Sequence, residues 1–113
     1  MQNLLDKLIV SLKIDKEDPK ITIQLKDGTN IYLQWNDYDQ YSYSIIFSDI
    51  KFDRVRFDNY DNRWGVPDRP HHYHPRFTKE GVTSPMRGKP KMDLPVFCKL
   101  ILSGNSLSKE YRF

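Results

Sequence analysis

Four consecutive stretches of alternating apolar and polar residues constrain the fold of this 113-residue chain more than any other feature. Alternation with a period of two places every second side chain on the same face of a β-strand. The first two stretches are joined by Asp27-Gly28, a strong hairpin signal because both residue types tolerate positive φ. The pattern therefore predicts an antiparallel meander with one apolar face. Its strands are residues 20–26, 30–36, 41–47 and 52–58.

Two further segments have apolar residues at helical spacing and are predicted to cover the apolar face of the sheet. Residues 3–14 predict an amphipathic N-terminal helix. Residues 94–103 predict a C-terminal helix, with Asp93 as its cap and Gly104 at its end. We therefore predict an α+β fold, an antiparallel sheet of four to five strands packed by an N-terminal and a C-terminal helix. The tail, residues 105–113, is predicted to fray or to add an edge strand.

Composition limits the class of protein. The length predicts a single domain over residues 1–113, and the net charge of +3 alone does not indicate a nucleic-acid binder. Cys98 is the only cysteine, which excludes an internal disulfide and a thiolate zinc site within one chain. No apolar run approaches the roughly 20 residues that cross a membrane. The first residues do not resemble a signal peptide, so we expect a cytoplasmic protein without a membrane partner. The oligomeric state is not predicted.

The basic residues are concentrated in one part of the chain. Residues 63–91 contain seven basic and two acidic side chains, all three histidines and five of the seven prolines. The composition predicts a long, basic, Pro/His-rich loop region, residues 60–91, inserted before the C-terminal helix.

The histidine cluster is the strongest candidate for chemistry. If residues 71–77 are extended, His72 and His74 lie on one face of the chain. Cleavage of RNA without a metal needs a general base, a general acid and a cation near the phosphate. We predict His72 and His74 as the acid–base pair and Asp58 as the group that orients a histidine. This hypothesis is a metal-independent endoribonuclease without a cofactor.

The neighbouring basic and aromatic residues are candidates for RNA contacts, because cations bind phosphates and aromatic rings stack on unpaired bases. An alternative hypothesis is a non-catalytic module that binds nucleic acid or protein through the same segment. The predicted RNA-binding residues are Arg56, Arg63, Arg76, Arg87, Lys89, Trp64 and Tyr73.

Two other interpretations of the histidines are open. His72 and His74 could bind a metal together with Asp58 or Asp61, because two histidines and a carboxylate make an open three-ligand site. The nearby arginines at positions 63, 69 and 76 argue against a cation there, so no metal ligand is assigned. In the structural interpretation, Asp58 and the next residue close a strand and the histidines are ordinary surface groups.

The order of these elements resembles that of the small TumE-type toxins of prokaryotic toxin–antitoxin systems. The resemblance depends on Arg56-Phe57-Asp58-Asn59 at a strand end and on Pro70-His71-His72-Tyr73-His74. It differs in the ten residues that separate the two motifs and in the longer basic run that follows. The resemblance implies a toxin with a small protein antitoxin as its partner and with RNA as a plausible target.

Overall fold

A computed structural model describes residues 9–15, 17, 19–36, 38–60, 70–108 and 110–113 of the chain. In these residues the strands follow one another in a single antiparallel sheet, each paired with its neighbours in sequence. The strands are β1 (Ile9–Asp15), β2 (Lys20–Leu25), β3 (Asn30–Trp35), β4 (Tyr41–Ile46), β5 (Arg54–Asp58) and β6 (His72–His74). One α-helix, α1 (Pro90–Ser103), and a 3₁₀ helix (Asn105–Leu107) follow β6 within these residues.

The register aligns the apolar side chains into rows across one face of the sheet. Ile31 pairs with Ile23 on one side and with Ile45 on the other, and all three are buried. Tyr43 likewise pairs with Leu33 and Phe57. Paired residues in an antiparallel sheet lie on the same face, so these rows form one continuous apolar layer. We call this the inner face and the opposite one the outer face.

Helix α1 packs on the inner face. The ring of Phe97 meets the rings of Tyr43 and Phe57 edge to face, with centroids 6.1 and 6.2 Å apart. Leu100, one helical turn further along, is buried in the same cluster. Gly104 ends the helix with φ at 72°, a left-handed conformation that glycine adopts without a steric penalty. The core therefore lies between α1 and the inner face of strands β2 to β6.

The predicted fold is wrong in its strand count and at its N-terminal end. Residues 9–14 belong to strand β1 rather than to a helix, and residues 1–8 lie outside the described residues. Ser11 and Lys13 alternate with Leu12 and Ile14, as the period of a strand requires. The apolar residues of this segment therefore fit a strand as well as they fit a helix. Pairing with β2 then decides between the two patterns. With β6 also added, the sheet has six strands within the described part of the chain rather than four or five.

The C-terminal helix is present but begins earlier than predicted. It starts at Pro90 rather than at residue 94, and Lys89 occupies the cap position. Asp93 is therefore not the cap. It lies inside the first turn, where its carboxylate accepts hydrogen bonds from the backbone N–H groups of Arg87 and Gly88 and from the hydroxyl of Tyr43. This buried carboxylate ties the segment before the helix to the sheet.

Part of the predicted basic loop region is packed against the core. Ser84 and Met86 are buried, and Val82 forms a backbone bridge with Tyr73 of β6. Gly88 has φ at 80°, and a Cβ there would lie 2.8 Å from Cδ1 of Tyr41. Only glycine permits this close approach of the backbone to the aromatic ring. Residues 82–88 therefore form part of the folded structure.

Candidate functional site

The pairing of β5 with β6 brings the predicted site residues together. Asp58 pairs with His72 and Arg56 pairs with His74, on the outer face of the sheet. Between them, Phe57 and Tyr73 pair on the inner face and belong to the core. The alternation predicted for His72 and His74 is therefore present. We call the four outer-face residues, Arg56, Asp58, His72 and His74, the β5–β6 cluster.

His72 and Asp58 form the buried part of the cluster. Nε2 of His72 lies 2.9 Å from Oδ1 of Asp58, and the His72 side chain is 1% exposed. Nδ1 of His72 lies 2.9 Å from the carbonyl oxygen of Pro70, an atom that can only accept. Both ring nitrogens thus face oxygen atoms, which fixes the orientation of the ring.

The charges around Asp58 set its protonation. Burial raises the pKa of its carboxyl, but the hydrogen bond from His72 and the charges of His72, Arg56 and His74 outweigh burial. The net effect holds the pKa of Asp58 below its ordinary value, so the side chain is a carboxylate at neutral pH.

His74 is held in a defined orientation beside this pair. Its Nδ1 lies 2.9 Å from the carbonyl oxygen of Glu80, so Nδ1 carries a proton and donates it. Its Nε2 lies 3.8 Å from Oδ2 of Asp58, and the side chain is 15% exposed. The rings of His74 and His72 meet edge to face with centroids 4.6 Å apart. Burial and the neighbouring His72 lower the pKa of His74, which favours the neutral ring with its lone pair on Nε2.

Arg56 is the cluster's most solvent-exposed cation. Its side chain is 41% exposed, and its Nε lies 2.7 Å from Oδ2 of Asp58 at ion-pair distance, outside ideal hydrogen-bond geometry. The guanidinium also lies 5.9 Å from the centre of the Tyr60 ring. The accessible members of the cluster are therefore Arg56 and His74, whereas Asp58 and His72 lie behind them.

Arg76, a predicted phosphate contact, makes a structural ion pair. Its Nε donates to the carboxylate of Asp53 at 2.6 Å and its Nη1 donates to the carbonyl oxygen of Leu107. The Arg76 hydrogen bond and that of Ser48 hold the pKa of Asp53 below its ordinary value, against the effect of burial. Arg76 thus fastens the loop after β6 to the β4–β5 turn and to the C-terminal segment.

Three other predicted RNA contacts do not belong to the cluster. Arg87 donates to the carbonyl oxygens of Ser84 and Met86 in its own loop, and Lys89 is exposed at the start of α1. Tyr73 is fully buried against Phe57, so its ring is part of the core and does not offer a stacking surface. Burial raises the pKa of Tyr73 to about 12.

Four residues named in the sequence analysis lie outside the described residues. They are Asp61, Arg63, Trp64 and Arg69.

Two further contributions to the site come from residues outside the cluster. Arg54 donates to the carbonyl oxygens of Pro75 and Thr78 and so fixes the chain that leaves β6. Ser42 and Ser44 pair with Asp58 and Arg56, which places small polar residues next to the cluster on the outer face. The alternation of serine with tyrosine in β4 was the available signal for these neighbours.

Comparisons with protein-family models, with curated proteins and with solved structures find no match to this chain. Among the described residues, no helix is both long enough and apolar enough to cross a membrane. Function is therefore argued from the β5–β6 cluster itself.

Proposed function

We propose that this chain is a toxin-like protein that cleaves RNA at the β5–β6 cluster. The observation that supports the proposal most is the convergence of two histidines, a carboxylate and an accessible guanidinium from adjacent strands. Two of these residues, Arg56 and His74, are open enough to contact a substrate. Such a combination of residue types is suited to phosphodiester chemistry.

The exposures assign different roles to the two histidines. Cleavage joins the 2′-oxygen of the ribose to phosphorus and breaks the bond from phosphorus to the 5′-oxygen. Arg56 binds a non-bridging phosphate oxygen and offsets the charge that develops there. Nε2 of His74 takes the proton that the 2′-hydroxyl loses. The departing 5′-oxygen takes a proton from water. His72, which is 1% exposed, is a positioning residue that acts through Asp58 rather than a member of the acid–base pair predicted from the sequence.

The cellular role depends on the resemblance to TumE-type toxins. Its two motifs, residues 56–59 and 70–74, come together where β5 pairs with β6, which supports their acting as one unit. A small antitoxin protein that covers this edge of the sheet is then the expected partner, and a cytoplasmic location is expected.

Purified protein incubated with mixed cellular RNA and resolved on a gel tests the proposed function. The wild type is expected to produce discrete fragments, and the His74→Ala variant is expected not to. His71→Ala is the matched control, because His71 is not one of the four cluster residues and its Nδ1 lies 2.9 Å from the hydroxyl of Tyr41. RNA that is retained in a mobility-shift assay but never cleaved would contradict the proposal and favour a binding module.

A further inference from the structure

We propose that Asp58, His72 and His74 form a binding site for a divalent first-row transition metal. One oxygen of the carboxylate and one nitrogen of each ring lie within 4.8 Å of one another. The three residues come from two paired strands, so the sheet itself holds them together. Metal binding is a property of the site that does not depend on RNA. An ion bound through Nε2 of His74 would replace that nitrogen as the group that activates the 2′-hydroxyl in the proposed cleavage.

The Nδ1 hydrogen bonds of the two histidines match those of histidines that bind a metal through Nε2. Nδ1 of His72 faces the carbonyl oxygen of Pro70, and Nδ1 of His74 faces that of Glu80, both at 2.9 Å. A histidine that binds a metal through Nε2 commonly donates its other N–H to a backbone carbonyl, which fixes the ring orientation. In both residues Nε2 is the nitrogen directed at Asp58. Two rings oriented in this way toward one carboxylate are typical of metal ligands.

The separations between ligand atoms are close to those around one ion. Ligand atoms about 2.1 Å from a metal lie about 3.0 Å apart in octahedral and about 3.4 Å apart in tetrahedral geometry. Nε2 of His72 is already 2.9 Å from Oδ1 of Asp58. Nε2 of His74 is 3.8 Å from the other oxygen, Oδ2, and the ligand atoms of the three residues lie within 4.8 Å of one another, so the side chains need to close around the ion.

The ligand types indicate which ions would bind. Two imidazoles and one carboxylate suit zinc, iron, cobalt or manganese and leave coordination positions for water or substrate. Magnesium prefers an all-oxygen environment and is a poor fit. A coordinated water would have a lowered pKa and could activate the attacking hydroxyl.

The neighbouring arginines are compatible with a cation. Arg76, which argued against a metal in the sequence, is bound to Asp53 instead. The Arg56 side chain is 41% exposed and its Nε lies 2.7 Å from Oδ2 of Asp58, so its charge is balanced by that carboxylate. A donor on the outer side of a ligating carboxylate is a common feature of metal sites.

Calorimetric titration of the EDTA-treated, dialysed protein with Zn²⁺ tests this proposal. Saturation at one ion per chain is expected. The affinity should be at least about 100-fold weaker in His74→Ala and in Asp58→Asn, because losing a ligand should cost at least as much as losing a hydrogen-bond partner of a ligand. His71→Ala should bind Zn²⁺ as the wild type does. Co²⁺ titration should give visible d–d absorption bands that His74→Ala lacks. Circular dichroism confirms that each variant is folded.

Two outcomes would overturn the metal site: no saturable binding by the wild type, or equal affinity in wild type and both cluster variants. The RNA assay separates this proposal from the proposed function. Cleavage that persists in EDTA contradicts an essential metal but still supports the proposed ribonuclease activity. Zn²⁺ binding at these residues without any cleavage supports the metal site and contradicts the proposed ribonuclease activity.

Discussion

Replacement of Asp93 by alanine should destabilise the whole fold, because three hydrogen bonds meet at this one buried carboxylate. It accepts from Tyr43 Oη at 2.6 Å, from Gly88 N at 2.7 Å and from Arg87 N at 3.0 Å. Each buried donor left without a partner costs about 1–3 kcal/mol, and water entering the vacated space recovers part of that. We expect Asp93→Ala to lower the free energy of unfolding by about 3–5 kcal/mol. That is a large fraction of the roughly 5–15 kcal/mol typical of a domain.

Urea denaturation at neutral pH measures this loss as a lower midpoint. Asp49→Ala is the matched control, because Asp49 is exposed and its removal should change stability by less than about 0.5 kcal/mol. If Asp93→Ala does not fold, Tyr43→Phe removes one of the three bonds and should cost about 1 kcal/mol. An Asp93→Ala midpoint equal to that of the wild type would refute the role assigned to this carboxylate.

Three further predictions concern a glycine, an ion pair and the exposed cation. Gly88→Ala should cost at least about 1 kcal/mol in urea denaturation, since its φ of 80° and the Tyr41 ring leave no room for a methyl group; an unchanged midpoint would contradict the close packing. Because the pKa of Asp53 is lowered below 3.8 in the folded state, its ion pair with Arg76 contributes stability above that pH and loses it as pH falls through the lowered value. Denaturation at about pH 6 and pH 3 should therefore show a smaller acid loss in Arg76→Gln than in the wild type, and an equal loss would contradict this. Arg56→Gln should abolish RNA cleavage because the variant removes the phosphate contact, while Zn²⁺ should still saturate at one ion per chain because Arg56 is not a ligand; loss of saturable Zn²⁺ binding would contradict the outer position of this arginine.

The central strands could be predicted because their pattern has only one interpretation. In residues 20–25 and 30–35 every apolar side chain alternates with a polar one, and Asp27-Gly28 fixes the turn between them. Strand β1 is different, since its leucines and isoleucines fit a helical stripe as well as a strand. Only the available edge of β2 decides in favour of the strand, and this tertiary pairing is not encoded in the local sequence.

The candidate site could be predicted in its residue types and in part of its geometry. The period of two placed His72 and His74 on one face, as the structure has them. That Asp58 stands opposite His72 depends on the β5–β6 register, which is set by the pairing of Phe57 with Tyr73 in the core. The same core pairing explains why Tyr73 was wrongly expected to stack on bases.

The remaining differences arise from contacts between residues far apart in sequence. Arg76 was grouped with the phosphate contacts because it follows the histidines, yet its partner Asp53 lies 23 residues earlier. The sequence around Asp93 likewise resembles a helix cap, but the backbone N–H groups of Arg87 and Gly88 donate to its carboxylate instead. Charge and proximity along the chain therefore predicted a basic face. In the structure, two of its arginines, Arg76 and Arg87, instead donate hydrogen bonds to backbone carbonyl oxygens of the protein itself.

The rate at which one labelled RNA is cleaved by His74→Ala, relative to His71→Ala, tests the central claim most directly. Both variants remove one histidine from the same run of four residues, but only His74 belongs to the β5–β6 cluster. We expect His71→Ala to cleave at the wild-type rate and His74→Ala to be slower by at least about 100-fold, within the range for a lost proton-transfer group. Equal rates for the two variants, with both proteins folded, would contradict a functional role for the cluster.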